Sequence, residues 1–290
     1  MPNNIALAKN YTNLLDEVYK LASVTSDLVS DSNMVKAGAN ASEVLYPQIS
    51  VTGLGDYSRN SGYTNGAVDV VWKTAAFNYD RGTKLSVDTM DDAETFQVAF
   101  HMAGATLQRE KVAPEADAFT FATLAGTAGI TIAEAVTYAN AEAFLAGLIL
   151  AKDKMDTDEV PEEGRVLYAT HALMNSIMAL DTTKSKEVLS SFSTVKKVPQ
   201  SRFYTAIDLN DGKSTGEELG HYKKAATGKE INFMIVHKPA IIKFDKHVVG
   251  NVIDPANNPD ADSYILKYRK YGIVDVYKNK TAGIYLSHKA

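Results

Sequence analysis

Residues 43–80 constrain this 290-residue chain more than any other stretch. Glu43–Leu54 and Gly66–Tyr79 are rich in Val, Tyr, Trp and Phe, the residues that favour strands. Between them runs Gly53-Leu54-Gly55-Asp56-Tyr57-Ser58-Arg59-Asn60-Ser61-Gly62-Tyr63, whose Gly, Asn and Ser content favours a turn-forming loop. The pattern predicts a long β-hairpin with limbs of about 40 Å at roughly 3.3 Å per residue. A two-stranded hairpin is marginal in water, and this one carries Leu45, Ile49, Val51, Trp72 and Phe77. It must find cover, either in a larger sheet of its own chain or on a neighbouring copy.

Composition narrows the classes. At 45% hydrophobic and 22% charged, the chain has material for a sizeable core. Its length exceeds the point at which single cores tend to split, so two lobes or one lobe with appendages are expected. It has no cysteine, which excludes disulfides, thiolate metal sites and cysteine nucleophiles. The first residues, Met1-Pro2-Asn3-Asn4, lack the basic and apolar regions of a signal peptide. No run reaches the ~18 apolar residues of a membrane span. These readings point to a protein made and used in a cytoplasm, with no membrane partner. Net charge is −5 but uneven: residues 1–190 hold 14 basic and 25 acidic side chains, residues 191–290 hold 16 and 10. Such asymmetry fits a surface facing nucleic acid, or complementarity between subunits.

Periodicity supplies the other elements. Tyr11, Leu14, Leu15, Val18, Leu21 and Ala22 form a helical stripe over Asn10–Leu28, followed by a polar, small-residue linker through Ala41. Asp91–Lys111 is expected as a helix of about 30 Å, with Pro114 marking its stop. Thr131, with Glu134 in the capping-box position, is expected to open a second helix running to Leu150. The acidic run Asp153–Glu163 reads as a solvated connector. A buried strand is expected at Arg165–Ala169, a short helix over Leu173–Leu180, and a Gly- and Asp-rich loop over 203–221. Strands are expected on both sides of Lys238-Pro239-Ala240, and sheet from Tyr264 to Leu286 with a turn at Asn279–Gly283.

Catalytic and ligand motifs are sparse. The six histidines include no HxxxH or HExxH pair, and there is no GxSxG elbow. Gly212-Lys213-Ser214 matches the end of a phosphate loop, but Ile207 stands where its first glycine belongs. Asp208, Asn210 and Gly212 match a calcium loop only in part, since Lys213 and Leu219 replace its Gly and Glu. No catalytic residue, metal ligand or cofactor is therefore assigned.

The order of elements is arm, long hairpin, long helix, α/β region, β tail. With Lys111–Asp117 closing the helix, Val160–Tyr168 entering a strand and Ile231–Ala240 returning from the α/β region, the chain resembles the major capsid proteins of tailed bacteriophages. The resemblance implies an α+β, HK97-like capsid fold with N-terminal arm, extended β-hairpin loop, long spine helix, peripheral domain and axial domain. By position, 1–42 would be the arm, 43–83 the extended loop, and 84–128 the peripheral domain with its spine helix. Residues 129–248 would be the axial domain, and 249–290 the return strands of the peripheral domain. The implied function is self-assembly into pentamers and hexamers of an icosahedral head that encloses double-stranded DNA without sequence specificity. A separate scaffolding protein and a portal are implied partners, with assembly in the bacterial host cytoplasm and residence in the virion. Tyr57, Arg59, Tyr63 and Trp72 are the interface candidates, because aromatics and Arg dominate interface anchors. Gly53, Gly55, Gly62 and Gly66 are candidates for adapting the hairpin to unequal neighbours. Rival readings are an encapsulin-like compartment, a soluble hydrolase and a tail-tube protein.

Overall fold

The computed structural model describes residues 22–30, 36–37, 43–60, 62–94, 98–180 and 182–290; the expected helix over Asn10–Leu28 lies mostly outside them. The chain divides into two compact units, residues 31–78 and the remainder.

The smaller unit is the hairpin. Strand β1 (Lys36–Ala37) pairs antiparallel with β2 (Glu43–Val51), which pairs antiparallel with β3 (Val68–Ala76). The two long limbs are nine residues each, about 30 Å and not 40. They are shorter because Gly53–Ala67 forms the loop instead of extending the ladder.

The larger unit opens with β4 (Tyr79–Asp88), so residues 79–83 pair with the body and not with the hairpin. It joins a three-stranded antiparallel sheet with β11 (Ile241–Ile253) and β12 (Ser263–Val276), in the order β11-β12-β4. After α1 (Thr89–Glu94) comes α2 (Val98–Leu107), a π-helical turn over Gln108–Val112, and α3 (Ala113–Ala125). Helical backbone thus runs unbroken from Val98 to Ala125, about 40 Å. The expected stop at Pro114 is wrong. Proline lacks the donor for a helical bond and crowds the preceding turn. The wider π turn just before it absorbs that defect, and Pro114 sits in the first turn of the resumed α-helix.

The second sheet has the order β5-β13-β10-β6-β7: β5 (Thr131–Ala133), β13 (Ile284–His288), β10 (Ile231–His237), β6 (Arg165–Thr170) and β7 (Thr194–Val198). The helix expected from Thr131 starts at Asn140 instead. Residues 131–133 pair in parallel with β13, and Asn140 caps α4 (Ala141–Thr157) by accepting the Ala143 N–H. Sheet pairing overrides the local helical pattern. Helices α5 (His171–Leu180) and α6 (Thr183–Ser190) cross from β6 to its parallel neighbour β7.

Strands β6 and β10 are buried throughout, because both faces of this sheet are covered. Val166, Tyr168, Met234 and Val236 pack with Phe121 and Leu124 of α3. Leu167, Ala169, Phe233 and Ile235 pack with Phe144 and Leu148 of α4 and Met174 and Ile177 of α5. The loop expected over 203–221 contains β8 (Ile207–Leu209), which pairs antiparallel with β9 (Tyr222–Lys224). Residue 248, where a boundary was expected, lies inside β11, and the last strand joins the five-stranded sheet.

Candidate assembly surfaces

The register of the hairpin sorts its side chains by face. Pro47 opposes Trp72, Ile49 opposes Val70 and Val51 opposes Val68. Directly paired residues share a face, so these three pairs form one apolar ladder. Its members are open: Ile49 is 60% exposed, Val51 69%, Val68 65% and Trp72 48%. The reverse face opposes Tyr46 to Lys73, Gln48 to Val71 and Ser50 to Asp69. The hairpin therefore has an apolar side and a more polar side.

The four predicted interface residues do not form one cluster. Tyr57 and Tyr63 meet at the loop, ring centroids 4.9 Å apart. Exposed Arg59 lies in the tight turn closed by mutual backbone bonds between Ser58 and Gly62. Trp72 lies back along the strand, on the apolar ladder. Of the four glycines expected to flex, Gly62 alone has a positive φ, +77°, and it makes the turn. Gly55 is required by proximity: a Cβ there would stand 2.3 Å from Thr64 Oγ1.

A polar latch within the subunit also escaped the sequence reading. Residues 22–30 lie on the body through polar bonds that converge on one buried carboxylate. Asp117 of α3, fully buried, accepts from Ser23 Oγ (2.7 Å), Val24 N (2.9 Å), Thr25 N (3.1 Å), Thr25 Oγ1 (2.7 Å) and Arg202 Nη1 (3.1 Å). Lys243, 6% exposed, donates to Thr25 O (3.0 Å) and Thr25 Oγ1 (2.6 Å). Burial pushes the Lys243 ammonium down to about 8, against the pull of Asp117. Lys196 donates to Val24 O, Arg202 to Ala22 O, and Ser30 exchanges backbone and hydroxyl bonds with Lys243. Asp27 accepts from Tyr168 and pairs with Lys196 at 2.8 Å. Burial acts to raise the Asp27 carboxyl, but these partners hold it below its ordinary value. The expected helix gives way here: residues 24 and 25 turn, and Ser26–Leu28 form a single 3-10 turn.

A sequence signal for this latch existed. Ala113, Asp117, Thr120, Phe121 and Leu124 follow helical spacing, and all are buried. An acid within an apolar stripe demands donors from elsewhere in the chain.

Another polar cluster secures the start of β4. Glu115 accepts from Arg81 Nε (2.7 Å) and Tyr79 Oη (3.2 Å), with His221 Nδ1 3.9 Å away. The Gly212-Lys213-Ser214 loop is closed to phosphate, because the Lys213 and Ser214 N–H groups already bond Asp211 Oδ1 at 2.7 and 2.8 Å.

No family model matches this sequence, and no curated protein matches it. Solved structures do match over nearly the whole chain. A capsid structure of Cyanophage P-SCSP1u is 13% identical with a TM-score of 0.62, covering 93% of this chain and 88% of that one. A Mycobacterium phage Bobi chain is 11% identical with a TM-score of 0.61, covering 93% and 91%. A virus-like particle from Pyrococcus furiosus is 9% identical with a TM-score of 0.55, covering 97% and 99%. With its hairpin, its long helix carrying a π turn, and its three- and five-stranded sheets, the chain has the α+β, HK97-like fold seen in tailed-phage capsids.

Proposed function

We propose that this chain is the major capsid protein of a tailed bacteriophage, a structural subunit and not a catalyst. It assembles as pentamers and hexamers into an icosahedral head around double-stranded DNA. The observation that carries this reading is the exposed apolar ladder Pro47/Trp72, Ile49/Val70 and Val51/Val68, on a chain whose fold matches a phage capsid structure over 93% of its length. Exposed contiguous apolar surface marks an interaction site. In a homo-assembly the cover is a neighbouring copy. Many such contacts act together, so closure stabilises the shell beyond any single interface. Tyr57, Tyr63 and Arg59 at the loop add anchors of the types that dominate interfaces. Scaffolding protein and portal are the further partners, DNA is held through salt-dependent phosphate contacts, and assembly takes place in the host cytoplasm.

The test is electron microscopy of the chain expressed with and without deletion of residues 54–64. Wild-type chain should close shells, and the deletion should give soluble subunits that do not. Normal particles from the deleted chain would remove the hairpin from this role. The likeness to the Pyrococcus furiosus particle supports a second reading, an encapsulin-like compartment. Nucleic acid inside purified particles favours the head, and protein cargo favours the compartment.

A further inference from the structure

The outward face of the three-stranded sheet carries an unusual pair. Lys84 of β4 and Lys267 of β12 are direct cross-strand partners, with Asn251 of β11 completing the row. Both lysines are exposed, and neither has an ion-pair partner among the described residues. In the next row on the same face lies exposed Arg269, whose guanidinium bonds Asp80 at 2.6 and 2.9 Å. Like charges directly opposed across two strands are destabilising, so this face favours an anion from outside the subunit.

The same body carries a patch of opposite sign. Where α4 runs into β6, the local cations are already taken: Lys152 pairs with Glu162, Lys154 with Asp158 and Arg165 with Asp156. Asp153, Glu159 and Glu163 stay exposed with no ion-pair partner among the described residues. Asp153 stands on the last turns of α4, and the turn that presents Glu159 and Glu163 is held in place, because buried Arg165 also donates to the carbonyls of Pro161 and Val160. Carboxylates on a fixed turn lose little freedom on binding.

We propose that these patches meet between copies: the Lys84/Lys267/Arg269 face of one subunit receives the Asp153/Glu159/Glu163 patch of the next. Two different patches on one chain make a heterologous contact, the kind that generates a ring when its rotation closes. The inference rests on the shell reading and adds to it a residue-level interface that closes each capsomer. It is distinct from the apolar cover of the hairpin, and it gives assembly a salt dependence, since exposed ion pairs weaken by screening.

The experiment starts from wild-type shells, formed by the chain alone or with its scaffolding protein; if neither gives shells, the shell reading itself fails and the contact is not at issue. Lys84→Glu/Lys267→Glu should stay folded by circular dichroism and raise the assembly concentration on the order of tenfold or more. Asp153→Lys/Glu159→Lys/Glu163→Lys should do the same, and a mixture of the two proteins should regain hexameric rings, in which the variants can alternate, but not pentamers, whose odd number forces one repulsive contact. Normal assembly by either variant, or no rescue in the mixture, overturns the proposal. So does a Lys84→Glu/Lys267→Glu shell that closes normally but retains less DNA, which would assign the face to nucleic acid. The chain has no cysteine, so a check that tolerates misfolding of the charge variants is direct. Lys267→Cys and Glu159→Cys chains, co-assembled and treated with a short bis-maleimide, should yield cross-linked oligomers. Monomer alone from intact shells counts against the contact.

Discussion

The hairpin of residues 43–78 and the segment 22–30 are attached by opposite physics. The hairpin spends its apolar side chains outward: Ile49, Val51, Val68 and Trp72 are open to water, so its own subunit gains little from them. The segment buries one large apolar side chain, Leu28, and is otherwise held by charge: Asp117, Lys243, Lys196 and Arg202 all bond it. Apolar surface left open is non-directional and waits for any matching partner. A buried carboxylate with five donors accepts one geometry only. The difference separates an element that leaves its apolar side chains open from one whose bonds lie within the subunit; in the proposed shell, neighbours would cover the first.

The largest effect that could break this contrast is at the latch. Asp117→Ala would leave Arg202 without its carboxylate and the Ser23 and Thr25 donors unpaired, and would remove the negative charge that favours the buried Lys243 ammonium. Breaking a buried charge network this way costs about 3–5 kcal/mol. Urea unfolding of the dissociated subunit should show it, with residues 22–30 losing protection in hydrogen exchange. A loss below about 1 kcal/mol would mean that the latch is decorative.

The next effect is pH-dependent. The Lys243 ammonium sits near 8 in the folded chain, against an ordinary value of 10.5. Between those values the unfolded chain binds more protons, so stability from this group rises as pH rises. The gain is absent below about pH 8 and complete above about pH 10.5, reaching roughly 3 kcal/mol. Subtracting the profile of Lys243→Met isolates it. Parallel profiles would contradict the buried, charged lysine.

Trp72→Ala sharpens the other side. It should change subunit stability by less than about 1 kcal/mol, because the ring is half open, yet it should raise the concentration needed for assembly. A large loss in the dissociated subunit would place the ring in the subunit's own packing. The smallest effect is Asp27→Asn, about 1 kcal/mol from weakened bonds to Tyr168 and Lys196. The Asp27 carboxyl is depressed on folding, so its contribution holds above its ordinary range and fades as pH falls through the folded value.

The elements with strong local pattern were legible before any coordinates. The hairpin limbs, the strand at Arg165 and the strands flanking Lys238-Pro239-Ala240 all lie where alternation or apolar runs put them. Two local signals misled. Pro114 reads as a stop until a π turn accommodates it, and Thr131–Glu134 reads as a cap until β13 offers an edge. The interface residues divided in the same way. Tyr57 and Tyr63 are close enough in sequence to meet, whereas the partners of Trp72 depended on register.

What the sequence alone determined is what short-range chemistry controls: alternation sets which hairpin side chains share a face, and apolar runs set which strands are buried on both sides. What only the tertiary structure decided is which distant charges meet. Asp117 finds Ser23 and Thr25 more than ninety positions away, and Lys84 comes to face Lys267 across a sheet. Periodicity carries no information about such pairs, because a carboxylate's partner is chosen by proximity in three dimensions and not by spacing along the chain.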